Sequence, residues 1–222
     1  MKKCILSLLL LVCQYPVYSQ PDLENSSTDS IKVEREKVAK SYIGIRLATS
    51  WSAFNTTRNT LLLPTNAPMG LQTGLSWDVL TKGKFGSRLE VGYALKGARE
   101  AFIDRSLNFE TVTRLHYAQL TALPFIYKPI SIQNKTPYIA VGAYAARMLG
   151  VSVTSDVPSL TRFTDFAESV YREQPNDFGL VVATGLYVKK RPLFEVRLDY
   201  GLRSLETDAN RTNKSISVAI SL

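Results

Sequence analysis

The stretch Pro192–Ser204 reads PLFEVRLDYGLRS, and its two faces ask for opposite solvents. At a strand period of two, Phe194, Val196, Leu198, Tyr200 and Leu202 share one face, while Glu195, Arg197, Asp199, Gly201 and Arg203 share the other. A soluble sandwich also has an apolar face, which it lays on its core. The other strands separate the two architectures. Residues 215–222 place Ile216, Val218, Ile220 and Leu222 opposite Ser215, Ser217, Ala219 and Ser221, and earlier strands likewise gather small and charged residues on one side. A barrel that is apolar outside and polar inside is a membrane barrel.

Upstream, residues 1–19 read as a secretory signal peptide. Lys2 and Lys3 form a basic start, Ile5 to Val12 an apolar run, and Val17 and Ser19 lie three and one residues before a cut ahead of Gln20. The run is too short to span a bilayer as a helix, which takes about 20 apolar residues. Cys4 and Cys13 both lie within it, so the mature chain has no cysteine, which excludes disulfides and thiol chemistry. Bulky Val12 argues against lipidation at Cys13. Removing Lys2 and Lys3 takes the formal charge from +8 to +6. The basic residues are scattered rather than clustered, which argues against nucleic acid as a partner. Residues 20–40 are polar without a period of two and read as a short periplasmic tail, leaving 41–222 as the barrel.

Alternation predicts eight strands, over 41–51, 70–81, 84–96, 112–128, 136–151, 177–189, 192–204 and 215–222. In the fourth, Gln119 and Thr121 share the parity of Leu115, Tyr117, Leu123 and Phe125, which leaves its facing open and suggests a bulge. The intervening links alternate long and short: 52–69, 82–83, 97–111, 129–135, 152–176, 190–191 and 205–212. Outer-membrane barrels have short periplasmic turns and longer extracellular loops. The expected fold is all-β, an eight-stranded antiparallel transmembrane β-barrel in the outer membrane. A lipocalin also has eight strands but keeps its apolar side chains inside, against the charged face of Glu195, Arg197 and Asp199.

Eight strands leave an interior that side chains can fill. Arg46, Asp78, Arg88, Glu90, Lys96, Glu195, Arg197, Asp199 and Arg203 then form a lumenal network of both signs, since buried charges need partners. Such a plugged lumen does not conduct. Glycines such as Gly179 and Gly185 leave room for neighbouring long side chains. Trp51, Trp77, Tyr93, Tyr117, Tyr127 and Tyr200 are candidates for the aromatic girdles.

The succession GLQTGLSWDV, LEVGYALKGAR, LTALPFIYK, TPYIAVGAYAARML, DFGLVVATGLYV, FEVRLDYGLRSL and SISVAISL resembles the PorT-like outer-membrane β-barrel family of Bacteroidota over residues 41–222. Its closest matches are Tyr93–Arg99, Leu123 with Pro124, Gly142 with Tyr144, Gly179 with Gly185, and Arg197, Asp199, Tyr200, Gly201 and Leu202. These positions concern the barrel and not an activity. The resemblance implies a structural or partner-binding role, with protein secretion or assembly as the process in one branch. Expected partners are outer-membrane lipid and lipopolysaccharide, the outer-membrane assembly machinery, and a secretion-system or other envelope protein.

The alternative is a small outer-membrane lipid-modifying enzyme using a serine and a histidine near the outer rim. His116 is the only histidine, with Asp104, Ser106 and Glu110 near it in sequence. No spacing singles these residues out, so no catalytic residue is assigned. One histidine without cysteine makes no metal set, and no strand-to-helix phosphate loop occurs; no cofactor is expected.

Overall fold

The computed structural model describes residues 40–55, 67–81, 83–103, 108–131, 134–155, 157, 168–188, 191–205 and 212–222. The signal peptide and, apart from Lys40, the tail expected over 20–40 lie outside these residues. Eight strands are present: β1 Lys40–Asn55, β2 Met69–Leu80, β3 Phe85–Ile103, β4 Asn108–Tyr127, β5 Lys135–Ser155, β6 Asn176–Val188, β7 Arg191–Gly201 and β8 Thr212–Ser221. Each pairs antiparallel with the next and β8 pairs with β1, closing the barrel. Among the described residues no helix is long and apolar enough to cross a membrane, which says nothing of strands.

The register sets the barrel's shape. A path across paired residues runs from Ile43 to Trp77, Leu89, Ala122, Ala143, Leu180, Tyr200 and Lys214, and meets β1 again at Ala53. It returns ten residues further along β1, a stagger that tilts the strands by about 40°. The start of β1 and the end of β8 lie at one end of the barrel, called the lower end below.

The faces are inverted relative to a soluble barrel. Ile43 on β1 is 81% exposed, whereas Arg197 is 1% exposed in the interior. The β6 pattern alternates residue by residue from Asn176 to Thr184, with Phe178, Leu180 and Val182 outside and Asp177, Gly179, Val181 and Ala183 inside.

A bulge resolves the facing of β4. Pairing passes from Ala122↔Ala143 to Phe125↔Val141, so Leu123 and Pro124 together face Gly142. Below it Ile126 is buried and Pro124 and Phe125 are exposed; above it Leu123, Thr121, Gln119, Tyr117 and Leu115 are all buried. Proline has no N–H for a ladder and is tolerated at such a bulge. Tyr117 therefore lies inside with no exposed surface, which corrects its assignment to the outer girdle.

The upper end is taller and more ordered than the alternation suggests. β3, β4 and β5 have 19, 20 and 21 residues, where about 9–11 suffice to cross a bilayer. The expected link 97–111 is thus mostly hairpin, with β3–β4 pairing running up to Ile103↔Asn108. Above the apolar band small or polar Ala98, Thr111 and Thr113 take the buried face and Arg99 and Arg114 the exposed one, so the contrast that marks a strand in sequence fades. Within the expected link 152–176, β5 continues to Ser155 and residues 168–173 form a short helix. Buried Tyr171 of this helix packs on Phe54 at the top of β1, with ring centroids 5.7 Å apart. β7 stops at Gly201, short of the expected Ser204.

Candidate functional site: a polar lumen in two tiers

The lower tier joins Arg46, Asp78, Arg88, Glu90, Glu195 and Arg197. Arg197 grips Glu90 with both ends of its fork, Nη1 donating to Oε2 and Nη2 to Oε1, each at 2.7 Å. Its Nε donates to Glu195 Oε1 at 3.0 Å. Arg88 donates from Nε to Asp78 Oδ1 at 2.8 Å and from Nη1 to Glu195 Oε2 at 2.6 Å. Arg46 donates to Glu195 Oε1 at 3.3 Å, Gln72 Oε1 at 3.1 Å and Ser217 Oγ at 3.2 Å. Three guanidiniums face three carboxylates, so the tier is neutral, and planar forks let each arginine serve several acceptors.

Tyrosines complete this tier. Tyr138 OH donates to Glu195 Oε2 at 2.7 Å, and Tyr187 OH donates to Asp78 Oδ1 at 2.9 Å while accepting from Arg88 Nη2 at 3.0 Å. Glycines across the β5–β6 ladder make room for the rings. Tyr138 is paired with Gly185 and Tyr144 with Gly179. A Cβ on Gly185 would come within 2.7 Å of Tyr138 Oη, and one on Gly179 within 2.7 Å of Tyr144 Cε1.

The upper tier is built differently. Lys96 Nζ stands 3.9 Å from Asp177 Oδ2 and 3.8 Å from Asp199 Oδ2, without a hydrogen bond to either, and lies 3.8 Å from the centroid of the Tyr144 ring. Asp177 Oδ2 accepts from Tyr144 OH at 3.0 Å and Asn213 Nδ2 at 2.9 Å. Among the described residues Asp177 Oδ1, Asp199 Oδ1 and Asn213 Oδ1 accept no hydrogen bond. Among the described residues no ion pair connects this tier to the lower one.

Arg203 stands apart from both tiers. It lies beyond the end of β7, half-buried, with Nη2 donating to Gln174 Oε1 at 2.7 Å. The parity that placed it in the lumen applies only while the chain is extended. Asp177, Tyr138, Tyr144, Tyr187 and Asn213 are lumenal residues that a search for alternating charges passes over.

Beside the lower tier lies a cavity of about 30 Å³ lined by Arg46, Gln72, Glu90, Gln119, Thr121 and Arg197, among other residues. It has room for about one or two waters, and Gln72 Nε2 and Gln119 Oε1 have no hydrogen-bond partner among the described residues. That volume is far too small for a conducting path.

His116 faces outward on β4, half-buried, and its Nδ1 shares a 2.6 Å hydrogen bond with Tyr93 OH. Glu110 lies further up β4 and meets Arg99 at 3.7 Å. Asp104 and Ser106 lie outside the described residues. Among the described residues no serine is hydrogen-bonded to His116, and no group of three or more His, Cys, Asp or Glu is placed to hold a metal ion.

Three comparisons bear on identity. A family model described as "Outer membrane protein beta-barrel domain" matches residues 26–206. No curated protein sequence matches the chain. Among solved structures, the attachment invasion locus protein Ail of Yersinia pestis is 13% identical, with 81% of this chain and 97% of that one covered and a TM-score of 0.36. Neisserial surface protein A is also 13% identical, with 82% and 98% covered and a TM-score of 0.41. The family match, with the closed inside-out barrel, places the protein in the outer membrane. The chain belongs to the outer membrane protein beta-barrel domain family.

Proposed function

We infer that this barrel binds a protein partner at the cell surface through the sheet that β3, β4 and β5 raise above the membrane. One observation carries the reading. β2–β3 pairing ends at Gln72↔Ala94 and β5–β6 pairing at Arg147↔Asn176, whereas β3–β4 pairing continues to Ile103↔Asn108 and β4–β5 to Thr111↔Ser155. The projecting sheet therefore has two lateral edges. The β5 edge is partly covered, since Met148 N–H donates to Pro175 O at 2.5 Å and Val153 N–H to Glu168 Oε1 at 3.1 Å. On β3, Gly97 N–H points to the β2 side and donates to Ser52 Oγ at 2.7 Å. By the alternation of a strand, the N–H groups of Arg99 and Ala101 point the same way, and among the described residues no strand pairs with them. An open edge of this kind accepts an added strand from another chain.

The filled lumen supports the same reading by leaving the interior little to do but hold the wall. The PorT-like resemblance adds protein secretion or assembly as the process such a partner serves. Ala101→Pro tests the proposal, because it removes an edge donor without touching the N–H groups that face β4. A photo-crosslinker at Thr154 in intact cells should yield a discrete protein adduct that Ala101→Pro abolishes, with barrel folding unchanged on a heat-modifiability gel. Adducts only from a crosslinker at Lys84, at the lower end, would contradict the reading.

A further inference from the structure

On the outer wall, the continuous run of lipid-facing apolar residues stops at Leu95 on β3, Ala118 on β4 and Ala145 on β5. The next outward positions are Gly97 and Arg99, His116 and Arg114, and Arg147. Register groups them: Leu95 lies opposite His116, Gly97 opposite Arg114, and Ala118 opposite Arg147. Arg99 is then the diagonal neighbour of Arg114, about 7–8 Å away between Cα atoms. All three arginines are exposed, and Arg99 meets Glu110 at 3.7 Å. Among the described residues Arg114 and Arg147 make no hydrogen bond or ion pair, whereas the lumenal arginines Arg46, Arg88 and Arg197 are each matched by a carboxylate.

The wall has a notch at the same height. The β2–β3 ladder ends at Gln72↔Ala94, and above it Gly97 N–H turns to Ser52 Oγ of β1. Pro68, Met69, Leu95, Gly97 and Arg114 line the notch. The surface mixes apolar Pro68, Met69 and Leu95 with Ser52, Lys96 and the Arg114 guanidinium, beside a second guanidinium, Arg99, on the neighbouring strand. It is the complement of an amphiphile whose acyl segment lies on the wall and whose phosphate sits just above it. Arginine suits that phosphate because its fork takes two oxygens at once.

We propose that Arg114 and Arg99, with the notch below them, bind a phosphorylated glycolipid of the outer leaflet, the guanidiniums holding its headgroup phosphate and the Leu95–Met69 surface its acyl chain. Arg147 on β5 takes a phosphate of the adjoining headgroup. The proposal rests on the outer-membrane assignment and is independent of the partner-binding reading.

The test uses the full chain in phosphatidylcholine nanodiscs doped with bisphosphorylated lipid A or with its enzymatically dephosphorylated form, and native mass spectrometry to count retained lipid. The native protein should retain the phosphorylated form about tenfold more than the other, as expected for a charge-assisted contact. Arg99→Gln with Arg114→Gln should bring that ratio near unity, whereas Lys84→Gln with Lys135→Gln at the lower end should leave it unchanged. Millimolar inorganic phosphate should not compete. Equal retention of the two lipids by the native protein, which requires no variant to fold, would overturn the proposal. So would an unchanged ratio in the folded arginine variant, and displacement by inorganic phosphate would reassign the arginines to a free anion.

Discussion

The lower tier of the lumen sets three arginines against three carboxylates, and the upper tier sets one lysine against two. Below, Arg197, Arg88 and Arg46 each donate at least three hydrogen bonds, so the charges are matched in number and in direction. Above, Lys96 holds its carboxylates by proximity and by the Tyr144 ring, and three oxygens accept nothing from the described residues. Planar forks lock a geometry; a rotatable ammonium tolerates several. The barrel is therefore held most firmly in its lower half, and the mouth beneath the projecting sheet is the compliant end.

The largest expected effect breaks the lower tier. Arg197→Leu leaves buried Glu90 without its bidentate partner and should cost about 3–5 kcal/mol, read as a lowered denaturant midpoint in detergent. Adding Glu90→Gln should recover part of the loss, because the penalty belongs to the unpaired charge.

Moving the charge one residue along, to the other face, comes next. Leu198→Arg puts a guanidinium against hydrocarbon and should cost about 2–4 kcal/mol near the midplane. No second substitution in the lumen should rescue it, in contrast to the Arg197 pair.

The upper tier should be more forgiving. Lys96→Met leaves Asp177 and Asp199 facing each other, yet Asp177 keeps its bonds from Tyr144 and Asn213, so the loss should be about 1–3 kcal/mol. Asp199→Asn should largely restore it. A loss as large as that of Arg197→Leu would erase the distinction between the tiers. The smallest effect belongs to Arg203→Ala, within about 0.5 kcal/mol, since this residue joins neither tier and donates to Gln174 at the rim.

Most of the barrel was legible because the membrane amplifies alternation. Glu195, Arg197 and Asp199 on one face against Phe194, Val196 and Leu198 on the other admit few architectures. What stayed hidden has physical causes. Tyr117 suits a girdle and a lumen equally well by composition, and its place depends on the bulge at Leu123–Pro124, which reverses parity below it. Tyr138 and Tyr144 alternate with apolar Ile139 and Val141, but their role as donors to Glu195 and Asp177 appears only once glycines on β6 are brought beside them. Arg203 was lost in the opposite way, by extending a strand period past the point where the strand stops. The paired tops of β3 and β4 escaped because above the apolar band neither face needs to be apolar.

The central claim is that the wall of this barrel turns its apolar face to lipid and its polar face to a sealed interior. Strand β8 offers the most direct test, because its lumenal positions Ser215, Ser217 and Ala219 are small and accept cysteine with little change in volume. With Cys4→Ser and Cys13→Ser in the background, single spin-labelled cysteines from 215 to 220 would be compared for collision with oxygen dissolved in the bilayer. Oxygen access should peak at Ile216, Val218 and Ile220 and fall at Ser215, Ser217 and Ala219. The reverse alternation, or none, would contradict the inside-out barrel.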